Sequence, residues 1–509
     1  MIRRDFLKST ALAAGATSQA AVSAAAEGAG AAAETPAASS VDADLRASPV
    51  MKSYTAADHR RRLSRIRDCE QAIRTCVKRH LITGYIPGQV SYNLGEYPCR
   101  APYDPGEYDE QELDRLRDGG IRLVQVMEDW NDMLRLFGGT KFTAVNPAGL
   151  KRFRDMVHQR GMKLLLYVST GYMQMGDPDL RDEWVRGYPG RVGQAAHWRL
   201  LRCNPASPGW RAYLLSNTLK VLEEYAPDGL YNDWGYVNQF KNPLPPARDE
   251  VATFAEAADH DAALEDLLAL VYSEVKRRGG IYKMHADFND IPRTKMVLYD
   301  YLWVGEGIGK LDKTRLETKN HPPYVIPCFD FRNGTVINDD EPYLHTVPYM
   351  QFPLLLAGRP FTGERAQIPG VPYRPESEDG LLRQWREMYR YYQAHPDGPY
   401  VYGPWDAFPP RPHQREVHAR WLKRYLPLVQ EGSYAYLEIT GSTLFEAPLP
   451  ADVVASVFTN LDTWLVLANY SGAAATLKTA WDLIDTEAAG APARQWTVPA
   501  RSLRLLKRV

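Results

Sequence analysis

Between residues 81 and 359, short runs rich in β-branched and aromatic residues alternate with stretches of helical periodicity, the pattern of βα units on a parallel sheet. The runs are Leu81 to Pro87, Ile121 to Met127, Met162 to Ser169, Gly229 to Asp233, Gly280 to Ala286, Val297 to Val304, Tyr324 to Phe329 and Leu354 to Arg359. Eight such units predict an α/β fold of the (β/α)8, or TIM, barrel type, in which functional groups gather at the C-terminal ends of the strands.

The connecting helices carry their own start signals. At Asn146-Pro147 and again at Ser207-Pro208 an N-cap residue precedes a proline at the first helical position. Leu150, Phe153 and Val157 then share one face of the first helix, and Leu215, Leu219 and Leu222 are the expected buried stripe of the second. A further helix from about Phe254 to Arg278 presents Leu264, Leu267, Leu268, Val271 and Val275 and stops at Gly279-Gly280. The connection between the third and fourth strands is long enough to be an insertion over the strand ends. Helical segments follow at Gly380 to Gln393 and Pro412 to Leu428. Short runs at Tyr434 to Thr440, Val453 to Thr459, Thr463 to Asn469, Ala475 to Ala480 and Ser502 to Lys507 then predict a small C-terminal antiparallel β-sandwich. The expected organisation is residues 1–49 as signal and linker, 50–431 as the barrel with an N-terminal helix, and 432–509 as the β-sandwich.

Arg3 and Arg4, followed by Asp5-Phe6-Leu7-Lys8 and an Ala-rich stretch to Ala26, resemble a twin-arginine export signal with small-residue cleavage sites. The expectation is a periplasmic or secreted protein exported by the twin-arginine route, with the twin-arginine translocase as partner during export. No later stretch has the roughly 18 apolar residues that a membrane span needs, so no stable membrane insertion is expected. Lys plus Arg number 61 against 62 Asp plus Glu, a net charge of −1 that argues against nucleic acid as a partner. The five cysteines, Cys69, Cys76, Cys99, Cys203 and Cys328, contain no CxxC and no metal-ligand spacing, and no cofactor or metal is expected. Helical spacing would hold Cys69 and Cys76 beyond disulfide reach, while a Cys99 to Cys203 bridge stays open.

Carboxylates and aromatic residues converge at the strand ends: Glu128, Asp129 and Trp130 after the second run, Asp233 and Trp234 after the fourth, His285 and Asp287 after the fifth, Glu306 after the sixth and Asp330 after the seventh. Hydrolysis of a glycosidic bond uses that combination: one carboxylate attacks or activates water, another protonates the leaving oxygen, and flat rings bind the apolar faces of a sugar. Asp233 is the candidate nucleophile and Glu306 the candidate acid/base. Trp130, Tyr167, Trp234 and Trp303 are candidate sugar platforms, and Glu128, Lys283, His285, Asp287, Asp330, Arg332 and Arg359 candidate substrate ligands. Each has a plainer reading. A strand-end carboxylate also serves as a helix cap, a histidine as a hydrogen-bonded structural residue, and a tryptophan as core.

The segment Cys203-Asn204-Pro205, with Asp228-Gly229-Leu230-Tyr231-Asn232-Asp233-Trp234, resembles the barrel glycoside hydrolases of the alpha-amylase, alpha-glucosidase and alpha-galactosidase superfamily. The resemblance implies a nucleophilic aspartate at the end of strand four and, in the last two branches, an acid at the end of strand six, the positions of Asp233 and Glu306. Those branches use aspartate as the acid where this chain has Glu306, and the amylase branch places its acid on strand five, where Asp287 stands. The resemblance also implies a carbohydrate substrate and a C-terminal β-sandwich. Other chemistries of the fold lack their parts: there is no HxH near the first strand, no cysteine triad and no GxGxxG opening a helix. The remaining alternatives are a catalytically silent carbohydrate-binding barrel and a different carbohydrate-active hydrolase or lyase on the same scaffold.

Overall fold

The strands Gln89–Asn93, Leu123–Val126 and Lys163–Ser169 are buried on both faces, so their residues do not alternate between an apolar and a solvent side. The computed structural model describes residues 53–95, 102–133, 135, 137–174, 176–185, 200–233, 259–286, 294–304, 311–321, 324–325, 338–351, 353–358, 394–395, 415–488 and 490–509, with the backbone alone at 191–192, 234–236, 257–258, 305–308, 326–329 and 414. In chain order the strands are β1 (Ile73–Leu81), β2 (Gln89–Asn93), β3 (Leu123–Val126), β4 (Lys163–Ser169), β5 (Tyr172–Gln174), β6 (Arg191–Val192), β7 (Leu200–Arg202), β8 (Gly229–Tyr236), β9 (Ile281–Ala286), β10 (Tyr301–Ile308), β11 (Val325–Phe329), β12 (Leu355–Gly358), β13 (Tyr434–Ser442), β14 (Val453–Thr459), β15 (Thr463–Asn469), β16 (Ala475–Asp485), β17 (Ala493–Val498) and β18 (Ser502–Arg508).

Eight of them form one sheet in the order β11-β10-β9-β8-β4-β3-β2-β12, and every neighbouring pair is parallel. That is the order of a barrel opened between its seventh and eighth strands. The sheet is strongly curled. Lys283 on β9 donates to Gln89 Oε1 on β2 at 3.1 Å, although four strand spacings, about 19 Å along the sheet, separate those strands. Helices Pro147–Gln159 and Pro208–Glu224 begin at the expected caps, with Asn146 Oδ1 accepting from Gly149 N at 2.9 Å and Ser207 Oγ from Trp210 N at 3.4 Å. Helix Ala257–Arg277 buries all five of its expected apolar residues.

Three expectations are corrected. Leu81 to Pro87 is not a barrel strand: Leu81 ends β1, and residues 82–88 cross between the two sheets, with Gly84 at φ +64°. Their apolar character reflects packing, since Ile82 is buried and the Tyr85 ring stacks on Tyr324 at 4.6 Å. The first parallel strand is β2. The sixth begins at Tyr301 rather than Val297, because Met296 and Val297 are exposed. On helix Pro208–Glu224 the buried stripe is Trp210, Leu214, Thr218, Val221 and Leu222, while Leu215 and Leu219 are only half-buried. An apolar count overlooks Thr218, which rotates the stripe.

The connection after β4 carries an antiparallel sheet of its own, in the order β5-β7-β6. The C-terminal strands pair in one antiparallel sheet of seven, β1-β13-β14-β15-β18-β16-β17. Both β1 and β17 were missing from the expected set. Period-two alternation sends Trp464, Val466 and Ala468 into the core shared with the parallel sheet, and Leu465 and Leu467 into a second core with Ile73, Tyr436, Leu483 and Leu506. Gln414–Tyr425 is helical, and Gly380 to Gln393 lies outside the described residues. Cys69, Cys76 and Cys203 are free thiols, and Cys99 lies outside the described residues; Cys76 lies on β1 rather than on the helix of Cys69.

One glycine is fixed by close approach. A Cβ on Gly229 would sit 1.8 Å from the Ile281 carbonyl oxygen, so β8 and β9 could not hold their register. Gly229→Ala is expected to cost about 2 kcal/mol or more of unfolding free energy, read by urea titration.

Candidate active site

Gly229-Leu230-Tyr231-Asn232-Asp233 runs up the fourth parallel strand, with Asp233 opposite Ser169 of β4. Alternation puts Tyr231 and Asp233 on the side facing Tyr167 and Trp303, and Asn232 on the other. The Asp233 carboxylate is buried at 5% exposure and held at both oxygens. His285 Nδ1 donates to Oδ1 at 2.5 Å and the Tyr167 hydroxyl to Oδ2 at 3.0 Å. Burial first, then the charge of Asp233, pushes the Tyr167 hydroxyl well above its ordinary pKa, which keeps it a donor. Tyr167 also bonds the Tyr172 hydroxyl. Since Tyr167 spends its proton on Asp233, Tyr172 supplies the proton of that second bond.

Asn232 secures the strand from the opposite face. Its Oδ1 accepts from both N and Oγ1 of Thr170 at 3.1 Å, and its Nδ2 donates to the Tyr282 hydroxyl at 2.6 Å. The carboxylate of Asp233 is therefore carried on a strand whose neighbouring residue is itself fixed.

An aromatic layer lies below the carboxylate. Tyr231 and Trp303 stack at 5.0 Å between centroids, and His285 lies 6.3 Å from Tyr231 and 6.1 Å from Trp303. Lys283 places its ammonium 5.0 Å from the Trp303 ring while bonding Gln89. Trp130 is fully buried and donates its indole N–H to the Tyr167 carbonyl at 2.8 Å, so it packs the core and braces β4 rather than presenting an open ring face. Glu128 is buried in the 3-10 turn that follows β3. Next to it, Asp129 Oδ2 accepts from the backbone N–H groups of Leu94 and Gly95 at 2.6 and 3.1 Å. Burial pushes the Asp129 carboxyl up to about 7 in spite of those two donors.

The structure thus brings together Asp233, His285, Tyr167, Trp303 and Lys283 of the residues selected from sequence, with Glu128 and Trp130 at the end of β3. Trp234 and Glu306 have their backbones on β8 and β10, and their side chains lie outside the described part. Asp287, Asp330, Arg332 and Arg359 fall outside the described residues. Sequence reasoning did not select Tyr172, Asn232, Thr170 or Lys141. Asn232 alone had a usable signal, its place beside Asp233 in the strand-end run. Among the described residues no group of three or more His, Cys, Asp or Glu is placed to hold a metal ion.

No family model and no curated protein sequence matches the chain. Among solved structures it is similar to a noncanonic maltogenic alpha-amylase from Thermotoga neapolitana, at 11% identity and a TM-score of 0.45 over 83% of this chain and 98% of that one. A putative alpha amylase from Salmonella typhimurium aligns at 12% identity and a TM-score of 0.46 over 84% and 83% of the two chains. An alpha-amylase from Geobacillus thermoleovorans aligns at 10% identity and a TM-score of 0.43 over 84% and 98%. At such distances the chemistry has to be read from this site's own geometry.

That geometry suits nucleophilic attack by a carboxylate. Two donors fix the plane of the buried Asp233 carboxylate, so it need not reorganise when a substrate arrives. A histidine bonded through Nδ1 also has its second nitrogen, Nε2, oriented by the same contact.

Proposed function

We propose that this chain is an exported glycoside hydrolase whose eight parallel strands close into a (β/α)8 barrel, with Asp233 as nucleophile and Glu306 as acid/base. The observation that carries the reading is the Asp233 carboxylate itself: it is the last β8 residue paired with β4, oriented by His285 and Tyr167 over the Tyr231 and Trp303 rings. The Lys283 to Gln89 bond across the curled sheet supports closure. Glu306 stands two residues beyond Val304, the last β10 residue paired with β9, which supports its placement at the same end of the sheet. In the proposed reaction Asp233 attacks the anomeric carbon while Glu306 protonates the leaving oxygen, and water then releases the sugar from a covalent glycosyl–Asp233. Retention requires the two carboxyl groups to lie roughly 5 to 5.5 Å apart. The twin arginines support export through the translocase, and no described helix is long and apolar enough to cross a membrane.

A second reading has one observation in its favour. The short His285 to Asp233 contact is also what a histidine base needs for orientation, and it fits another hydrolase or lyase acting on carbohydrate. A panel of α- and β-linked aryl glycosides and natural glycans separates the two. Turnover that is lost in both Asp233→Asn and Glu306→Gln supports the carboxylate pair; turnover that survives Glu306→Gln but not His285→Ala supports the histidine. No turnover with any member of the panel supports a carbohydrate-binding barrel instead.

Tyr167→Phe keeps the ring and removes one of the two donors to Asp233. Loss of a hydrogen bond to a charged group predicts a fall in kcat of roughly 10-fold or more with little change in KM, measured on the best glycoside of the panel.

A further inference from the structure

The turn that leads out of β4 is pinned at four successive carbonyls. Trp210 Nε1 donates to Thr170 O at 3.2 Å and Cys203 N to Gly171 O at 2.9 Å. Lys141 takes the two outer ones, donating to Ser169 O at 3.1 Å and Tyr172 O at 2.5 Å. This turn carries the Tyr172 side chain, whose hydroxyl bonds Tyr167, which in turn bonds Asp233.

Lys141 is an unexpected residue for a backbone clasp. It is almost fully buried, its ammonium donates only to carbonyls among the described residues, and it lies within 5.5 Å of the Phe142, Tyr172 and Trp210 ring centroids. Burying an ammonium without a hydrogen-bonded carboxylate is costly, and burial pushes Lys141 down to about 8. The carboxylates of Asp177 and Asp233 act in the opposite direction.

We propose that Lys141 is a positioning residue for Asp233, holding the 169–172 turn so that the Tyr172 and Tyr167 hydroxyls stay aligned on the Asp233 carboxylate. The inference rests on the reading of Asp233 as the reacting group. Lys141 acts through the turn, fixing where Asp233 points by way of Tyr172 and Tyr167. A neutral side chain of similar length would fill the space and leave both carbonyls without their donor.

The test is a double-mutant cycle of Lys141→Met and Tyr172→Phe, with kcat and KM measured on the best glycoside of the panel. Each single variant is expected to lower kcat roughly 10- to 100-fold with KM changed by less than about 3-fold, and the double variant to be no worse than the weaker single. A folded Lys141→Met enzyme with kcat within about 2-fold of the parent, losses confined to KM, or effects that multiply would overturn the proposal. If Lys141→Met fails to fold, Tyr172→Phe carries the test alone, because the backbone acceptors of Lys141 remain, and an unchanged kcat there overturns it. A parent enzyme that turns over no glycoside refutes the function reading separately. A crystal structure of Lys141→Met then decides the positioning role: loss of the Tyr167 to Asp233 bond supports it, and unmoved Tyr172, Tyr167 and Asp233 side chains overturn it.

Discussion

Asp233→Asn is expected to lower kcat roughly 10⁴-fold while leaving the protein folded, the scale seen when a residue that acts in the bond-breaking step is removed. The amide is nearly isosteric with the carboxylate but cannot accept at both positions. His285 Nδ1 and the Tyr167 hydroxyl both donate to Asp233, so one of them would face an NH₂ group. His285 can adjust by moving its proton to Nε2, whereas Tyr167 can turn toward Tyr172. The substitution therefore removes the nucleophile with limited structural disturbance, and a matching thermal transition shows that lost turnover is chemical. Turnover within about 10-fold of the parent would exclude Asp233 as nucleophile.

Asp129→Asn is expected to change the pH dependence of stability by up to about 4 kcal/mol between pH 4 and pH 7. Burial holds the folded Asp129 carboxyl protonated up to about 7, far above its ordinary value of 3.8. In the unfolded chain the same group releases its proton near pH 4. Between those limits the folded state binds more protons than the unfolded one, so this residue makes stability fall as pH rises, with the full cost present above about pH 7. The asparagine cannot ionise, and its carbonyl still accepts from Leu94 and Gly95. Urea unfolding at pH 5 and pH 8 measures the effect. The parent should lose more stability over that interval than the variant, and equal losses would show that Asp129 is ionised in the folded state at both values.

Parallel strands such as Lys163–Ser169 were legible because burial makes them mostly apolar, and Asp233 was legible because it follows the run Gly229-Leu230-Tyr231. Leu81 to Pro87 misled for a related reason: Ile82 and Tyr85 are apolar because they pack beneath the sheet, not because they extend within it. The pairing of β1 with β13 has no local signal, since Leu81 finds Tyr434 across the whole length of the parallel sheet. In the site, His285 and Tyr167 could be chosen because they stand near strand ends beside Asp233. Lys141 could not, because its partners are the carbonyls of Ser169 and Tyr172, and every residue has a carbonyl. Trp130 was chosen for an aromatic face that the fold uses in its core.

The central claim, that Asp233 becomes covalently attached to sugar, is tested most directly by trapping that intermediate. The mature protein is incubated with a 2-deoxy-2-fluoro glycosyl donor of the sugar selected by the panel, digested, and its peptides weighed. The account predicts one sugar mass on the peptide that contains Asp233, and none in Asp233→Asn. Steady turnover of the parent substrate with the adduct on another residue, or with no adduct at all, would contradict it.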